Sequence, residues 1–153
     1  MIWVGYLVAI VFFYVSALLQ NSFFTHFTWA GAGPNIIFSL FFILLFFGRK
    51  NNFYLFFLAV LAGVFLDIFL FTYFGTSIVA LFIIGMFSKK TQISLKEGEN
   101  NYSLVSFILI FSVALALYNL ILQDSFRGII CSILCAVLLF FLVKKFKLEK
   151  FLK

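Results

Sequence analysis

Six apolar runs separated by short polar clusters divide the chain: Ile2–Leu19, Trp29–Phe47, Phe53–Phe71, Ser77–Phe87, Ser103–Leu122 and Phe126–Val143. The fourth reaches a comparable length only if it begins at Thr72, giving 72–87. A bilayer core about 30 Å thick takes about 20 apolar residues per helical span. Membrane strands would alternate apolar and polar positions in runs of about ten. These runs are apolar on every side, so the pattern predicts an all-α integral membrane protein: six transmembrane helices in one bundle, a single domain over 1–153. The first run has no basic segment before it and no small-residue cleavage site after Leu19, so it is expected to remain as the first helix.

Composition agrees with the pattern. The 153 residues are 65% hydrophobic and 10% charged, with a mean hydropathy of +1.22. A soluble domain carries about a quarter charged residues, and this chain has too few to cover a water-facing surface. Its longest polar stretch, KKTQISLKEGENNYS from Lys89, is too short for a core of its own and is expected to be a loop.

Charge sets the orientation. Arg49 and Lys50 follow the second run, Lys89, Lys90 and Lys96 follow the fourth, and Lys144, Lys145, Lys147, Lys150 and Lys153 form the tail. Ten of the eleven basic residues thus fall on one side of a six-span arrangement, the exception being Arg127. The excess of Lys and Arg in cytoplasmic loops then predicts that both termini are cytoplasmic. The net charge of +6 is spread over three short segments, so it points to membrane orientation and not to nucleic acid. The tail, KKFKLEKFLK, interleaves Lys with Phe and Leu and suits an anionic leaflet or a cytoplasmic partner.

Reactive chemistry is sparse. Cys131 and Cys135 are four apart on the sixth run, without the further ligands zinc requires, and His26 has no nucleophile or second ligand near it in sequence. No catalytic, cofactor-binding or metal set is expected. Small residues do recur at helical spacing: Ala59, Gly63 and Asp67; Gly128, Ser132 and Ala136; Gly5 and Ala9. In lipid, helices associate where small residues let backbones approach, so these stripes are expected to be internal packing faces or a face for a partner helix.

Asp67 stands in GVFLDIFLFTYFGTS, an otherwise apolar stretch, and shares the small-residue stripe of Ala59 and Gly63. An ion or solute pathway through a bilayer normally carries further charged groups, and the first, second, fourth and fifth runs have none inside them. The expectation is a structural hub, accepting hydrogen bonds from Thr72, Ser77 or the backbone near Gly75. In GAGPN, Pro34 suits the first turn of the second helix, and Asn35 places an amide at the same outer side as Asp67.

Pro34-Asn35 opening the second span, Gly63-Val-Phe-Leu-Asp67 in the third and Gly75 before the fourth resemble the MreD family of rod-shape-determining membrane proteins. That family typically has Pro-Asp where this chain has Pro34-Asn35, so a hydrogen-bonding role carries over to Asn35 and a charged one does not. The matching region, 34–85, covers about a third of the chain. The resemblance implies a fold like the substrate-binding components of energy-coupling-factor transporters. It also implies a non-catalytic scaffold of the cell-elongation machinery in the bacterial inner membrane. Its partners would be a bitopic MreC-like protein and, through it, a RodA-type transglycosylase, a penicillin-binding transpeptidase and MreB. The alternative is a substrate-binding subunit for a vitamin-type solute, with Trp29, Asn35, Asp67, Tyr73 and Asn119 lining an outward pocket.

Overall fold

The centre of the computed structural model, which describes residues 2–22, 34–48, 51–70, 74–96, 104–122 and 129–145, is a helix with no exposed face. This is α2 (Ile36–Phe47), and all twelve of its residues are buried. Around it stand α1 (Ile2–Ser22), α3 (Asn52–Leu70), α4 (Thr76–Lys96), α5 (Leu104–Leu122) and α6 (Ile129–Lys145), each in contact with it. The class is all-α, with six helices and no strand among the described residues. A helix that is apolar on every side belongs inside a bundle, and IIFSLFFILLFF offers one polar group, Ser39, in twelve positions.

Phenylalanine builds the core. Phe38, Phe42 and Phe46 rise along one side of α2 at the four-residue spacing that stacks side chains on a helix face. They meet α5 and α6: Phe42–Phe111 centroids lie 5.3 Å apart, Phe46–Phe107 5.1 Å and Phe107–Phe140 4.7 Å. Such pairs add about 0.5–1.5 kcal/mol each beyond their area burial. The Phe-rich composition therefore has a structural use on this side of the bundle.

Two boundaries differ from the sequence reading. The second helix begins at Ile36, not within the first turn at Pro34, and the predicted start at Trp29 lies outside the described residues. Asn35 is the cap: its side-chain oxygen accepts from Phe38 N. An Asx cap closes the helix start by hydrogen bonding and displaces the proline from the first helical position. The fourth helix extends to Lys96 through SKKTQISLK, which the hydropathy pattern assigned to a loop. Lys, Gln and Leu are good helix formers, and no Gly or Pro interrupts before Gly98. Hydropathy marks where apolar burial ends, which is not where a helix must end.

The exterior is apolar. On α1, Leu7, Val8, Val11, Phe12, Tyr14, Val15 and Leu18 are exposed, and α5 exposes Val105, Leu109, Val113, Leu117 and Leu120. Among the described residues, no helix is both long and apolar enough to cross a membrane. The backbone helices α1, α3 and α5 nevertheless count 21, 19 and 19 residues end to end.

Candidate functional site

Buried polar side chains concentrate at one end of the bundle, where α2 and α4 start and α1, α3 and α5 finish. The end begins with a problem at α4. Its cap residue, Gly75, takes a φ of 101°, which glycine tolerates, and its carbonyl accepts the first helical bond, from Val79 N. Glycine has no side-chain oxygen for the orphan N–H groups that open every helix. Asp67, in the last turn of α3 and 3% exposed, supplies one. One carboxylate oxygen accepts from Gly75 N at 2.6 Å, the other from Ser77 N at 3.0 Å and the Thr76 hydroxyl at 3.4 Å.

The acid is therefore a remote N-cap, held by helix α3 for helix α4. It sits at the positive end of the α4 dipole, where a carboxylate is favoured, and hydrogen bonds to a charged acceptor contribute about 1.5–3 kcal/mol each. Ser77 continues the connection, its Oγ lying 3.2 Å from the Tyr118 hydroxyl of α5. Tyr118 is fully buried, with its ring 5.0 Å from that of Phe38 on α2. One polar chain thus joins α3, α4 and α5 and meets the central helix.

The start of α2 is closed in the same manner. Asn35 N donates to Ser132 Oγ of α6 at 2.8 Å, and Ile36 N and Ile37 N both donate to Gln20 Oε1 of α1, at 3.0 and 3.2 Å. Phe38 N is served by Asn35 itself at 3.0 Å. The Ser39 hydroxyl donates back to the Asn35 and Ser132 carbonyls. Four consecutive N–H groups thus find acceptors on three side chains, from α1, α6 and the cap itself, as buried backbone groups must. Comparison with protein-family models, curated proteins and solved structures returned no match.

The residues singled out from sequence divide clearly. Asp67, Gly75 and Ser77 come together; Pro34 and Asn35 lie at the start of α2. Gly63 is buried on α3 against α4, where an added Cβ would meet Ile78 Cα at 2.6 Å and Ile78 N at 2.7 Å. Ala9, Ala59, Ser132 and Ala136 are all buried. At these four positions the stripes are packed inside this chain, the first of the two uses expected of them, because close backbone approach buries the small residues that permit it. Gly5 lies in α1, while Gly128, Thr72, His26, Trp29 and Tyr73 fall outside the described residues. Cys131 and Cys135 are half-buried free thiols on α6, and among the described residues no group of three or more His, Cys, Asp or Glu could hold a metal.

Sequence reasoning missed Gln20 and the hydroxyl of Ser132. A signal existed for Gln20, the first of two amides that end an apolar run at the level where the next run begins. Gln20→Leu is expected to cost about 1–3 kcal/mol, since Ile37 N loses its acceptor while Ile36 N keeps the Pro34 carbonyl; thermal denaturation reads it. Gly75→Ala is expected to cost about 1–2 kcal/mol from the positive φ alone. Nothing lies within 4 Å of the Cβ it would add, so relief of a clash cannot confuse that reading.

Proposed function

We propose that this chain is a non-catalytic scaffold embedded in the bacterial inner membrane, of the MreD kind, which holds an MreC-like bitopic partner and so helps position peptidoglycan synthases. The observation that carries the reading is the use of its polar groups. Asp67, Asn35, Gln20, Ser132 and Ser77 are engaged in closing helix starts, and the outer surface is Leu, Val, Ile and Phe. An exterior of that chemistry suits lipid and neighbouring helices, because water would leave it uncompensated. The capped starts of α2 and α4 suit the same solvent, where an unsatisfied backbone group costs several kcal/mol.

Orientation follows the charges. Lys89, Lys90, Lys144 and Lys145 lie at the end opposite Asp67, so that end faces the cytoplasm and the capped end faces outward. The three stretches that resemble MreD, Pro34-Asn35, Gly63 to Asp67 and Gly75, all serve that outer end. A carrier would need the same polar atoms for its solute, and Asp67 and Asn35 already use theirs within the bundle.

Because the small-residue stripes are internal, a partner helix must dock on larger side chains. Photo-crosslinkers in membranes at Val11 on α1, Leu109 on α5 and Leu138 on α6 test this, since all three are exposed on separate helices. The expected result is one discrete bitopic protein captured from one of the three faces, retained on purification in mild detergent. Crosslinks to lipid alone from every face would overturn the scaffold reading.

A further inference from the structure

Asn119, near the end of α5, is 6% exposed, and its amide has no hydrogen-bond partner among the described residues. An amide carries two donors and an acceptor, and leaving them buried and unpaired costs free energy. Its place on the helix shows where a partner would come from. At 3.6 residues per turn, Asn119 lies within about 20° of Ser112 and about 60° of Ala116 around the α5 axis. Both are half-buried, and they border the side that the bundle leaves uncovered, where Val105, Leu109, Val113 and Leu120 are exposed. Helical side chains lean toward the N-terminus of their helix, so the amide leans from the outer end of this stripe down over it. Ser112 and Ala116 are small residues four apart that the bundle does not enclose, unlike Ala59, Ser132 and Ala136. The Ser112 hydroxyl donates to the Leu109 carbonyl at 3.0 Å, so it adds no unpaired donor to the apolar surface.

We infer that a second copy of this chain docks on α5, with Ser112 and Ala116 at the helix crossing and the two Asn119 amides paired. The inference rests on the membrane reading above. In lipid, backbones approach where small residues meet, and amides hydrogen-bond across helices. Symmetry selects the second copy. Two chains inserted with the same orientation are related by an axis along the membrane normal, which sets each α5 residue at the depth of its counterpart. Asn119 then meets Asn119, and each NH2 donates to the other's carbonyl oxygen. An unrelated helix would need a polar group of its own at that level. The outer surfaces of α1 and α6 stay free for the bitopic partner.

The test uses the full chain in cell membranes, with Cys131→Ala and Cys135→Ala removing the native thiols and single cysteines placed on α5. Under oxidation, Ser112→Cys and Ala116→Cys are expected to give disulfide-linked dimers. Leu117→Cys, about 140° round the helix from Ser112, should give several-fold less. Adding Asn119→Leu, which keeps the volume and removes the amide, should lower the Ser112→Cys dimer yield several-fold. The same substitution should leave the melting midpoint of the detergent-dissociated monomer no lower, because the amide has no bond within the chain to lose. A midpoint several degrees lower would place the amide's partner inside the chain; that, or an undiminished dimer yield, would overturn the proposal. Equal yields at all three cysteine positions, no dimer at any, or capture of a different protein from Leu109 would overturn it too. An alkaline carbonate wash of membranes separates the two readings: release of the chain defeats the membrane assignment, whereas retention with no preferred cysteine position defeats only the dimer.

Discussion

Asp67→Leu is expected to abolish accumulation of the folded protein, and Asp67→Asn to leave it present but weakened. Leucine removes the acceptor from two backbone donors and one hydroxyl, Gly75 N, Ser77 N and Thr76 Oγ1, at a position only 3% exposed. Each buried donor left unpaired costs about 1–3 kcal/mol, so the two backbone donors alone account for about 2–6 kcal/mol, a large share of the stability of a typical domain. Asparagine is less simple than an isostere. Both carboxylate oxygens receive an N–H, from Gly75 on one side and Ser77 on the other. An amide offers one oxygen and turns its NH2 toward the second donor, so one bond is lost and the expected cost is about 1–3 kcal/mol. Abundance of the folded protein in cells and a thermal melt of the purified protein measure both variants. Complete loss of function in Asp67→Asn at normal abundance would point to an obligatory charge, and so to a carrier.

The origin of that hub was legible in the sequence, though its wiring was only partly so. A single carboxylate in an apolar run must be paired or capped, and Gly75 eight residues later marks a turn needing an acceptor. Local spacing therefore pointed to the link between Asp67 and the start of α4. The caps of α2 were not legible in the same way. Ser132 reaches Asn35 across 97 residues of sequence, and its neighbours Gly128 and Ala136 made it look like packing alone. No periodicity encodes which helix ends meet.

The place of α2 at the centre was similarly hidden. Most of these helices carry apolar residues on their exposed as well as their buried sides, so the amphipathic stripe that orients a helix in a water-soluble protein is missing. What distinguishes α2 is a run with one hydroxyl in twelve residues and Phe at four-residue intervals. The small-residue stripes were legible as packing surfaces, but sequence alone left open whether they met this chain or another. Burial answers that question: Ala59 and Gly63 are used on α3, Ala136 on α6.

Gly63 carries the second large effect. Gly63→Leu is expected to prevent the α3–α4 pair from closing, and Gly63→Ala to cost about 1–3 kcal/mol, the range for overpacking a tight core. The reason for expecting harm from a single methyl is what it would strike. Its Cβ would lie 2.5 Å from Ile78 Cγ1, which can rotate away, but also 2.6 Å from Ile78 Cα and 2.7 Å from Ile78 N, which cannot. Trimming the neighbour should therefore fail as a rescue: Gly63→Ala with Ile78→Ala is expected to remain nearly as unstable as Gly63→Ala alone. Restoration by Ile78→Ala would place the conflict in the side chain and refute the backbone account. A second consequence follows from position. Ile78 stands one residue beyond Ser77, whose N–H binds Asp67, so a shift of α4 that accommodates a Cβ at Gly63 also lengthens the bonds to the carboxylate. Gly63→Ala combined with Asp67→Asn should then cost less than the two separate losses added together, because residues sharing one network do not act independently. Strict additivity in that double-mutant cycle would show that the glycine contact and the carboxylate cap fasten α3 to α4 separately.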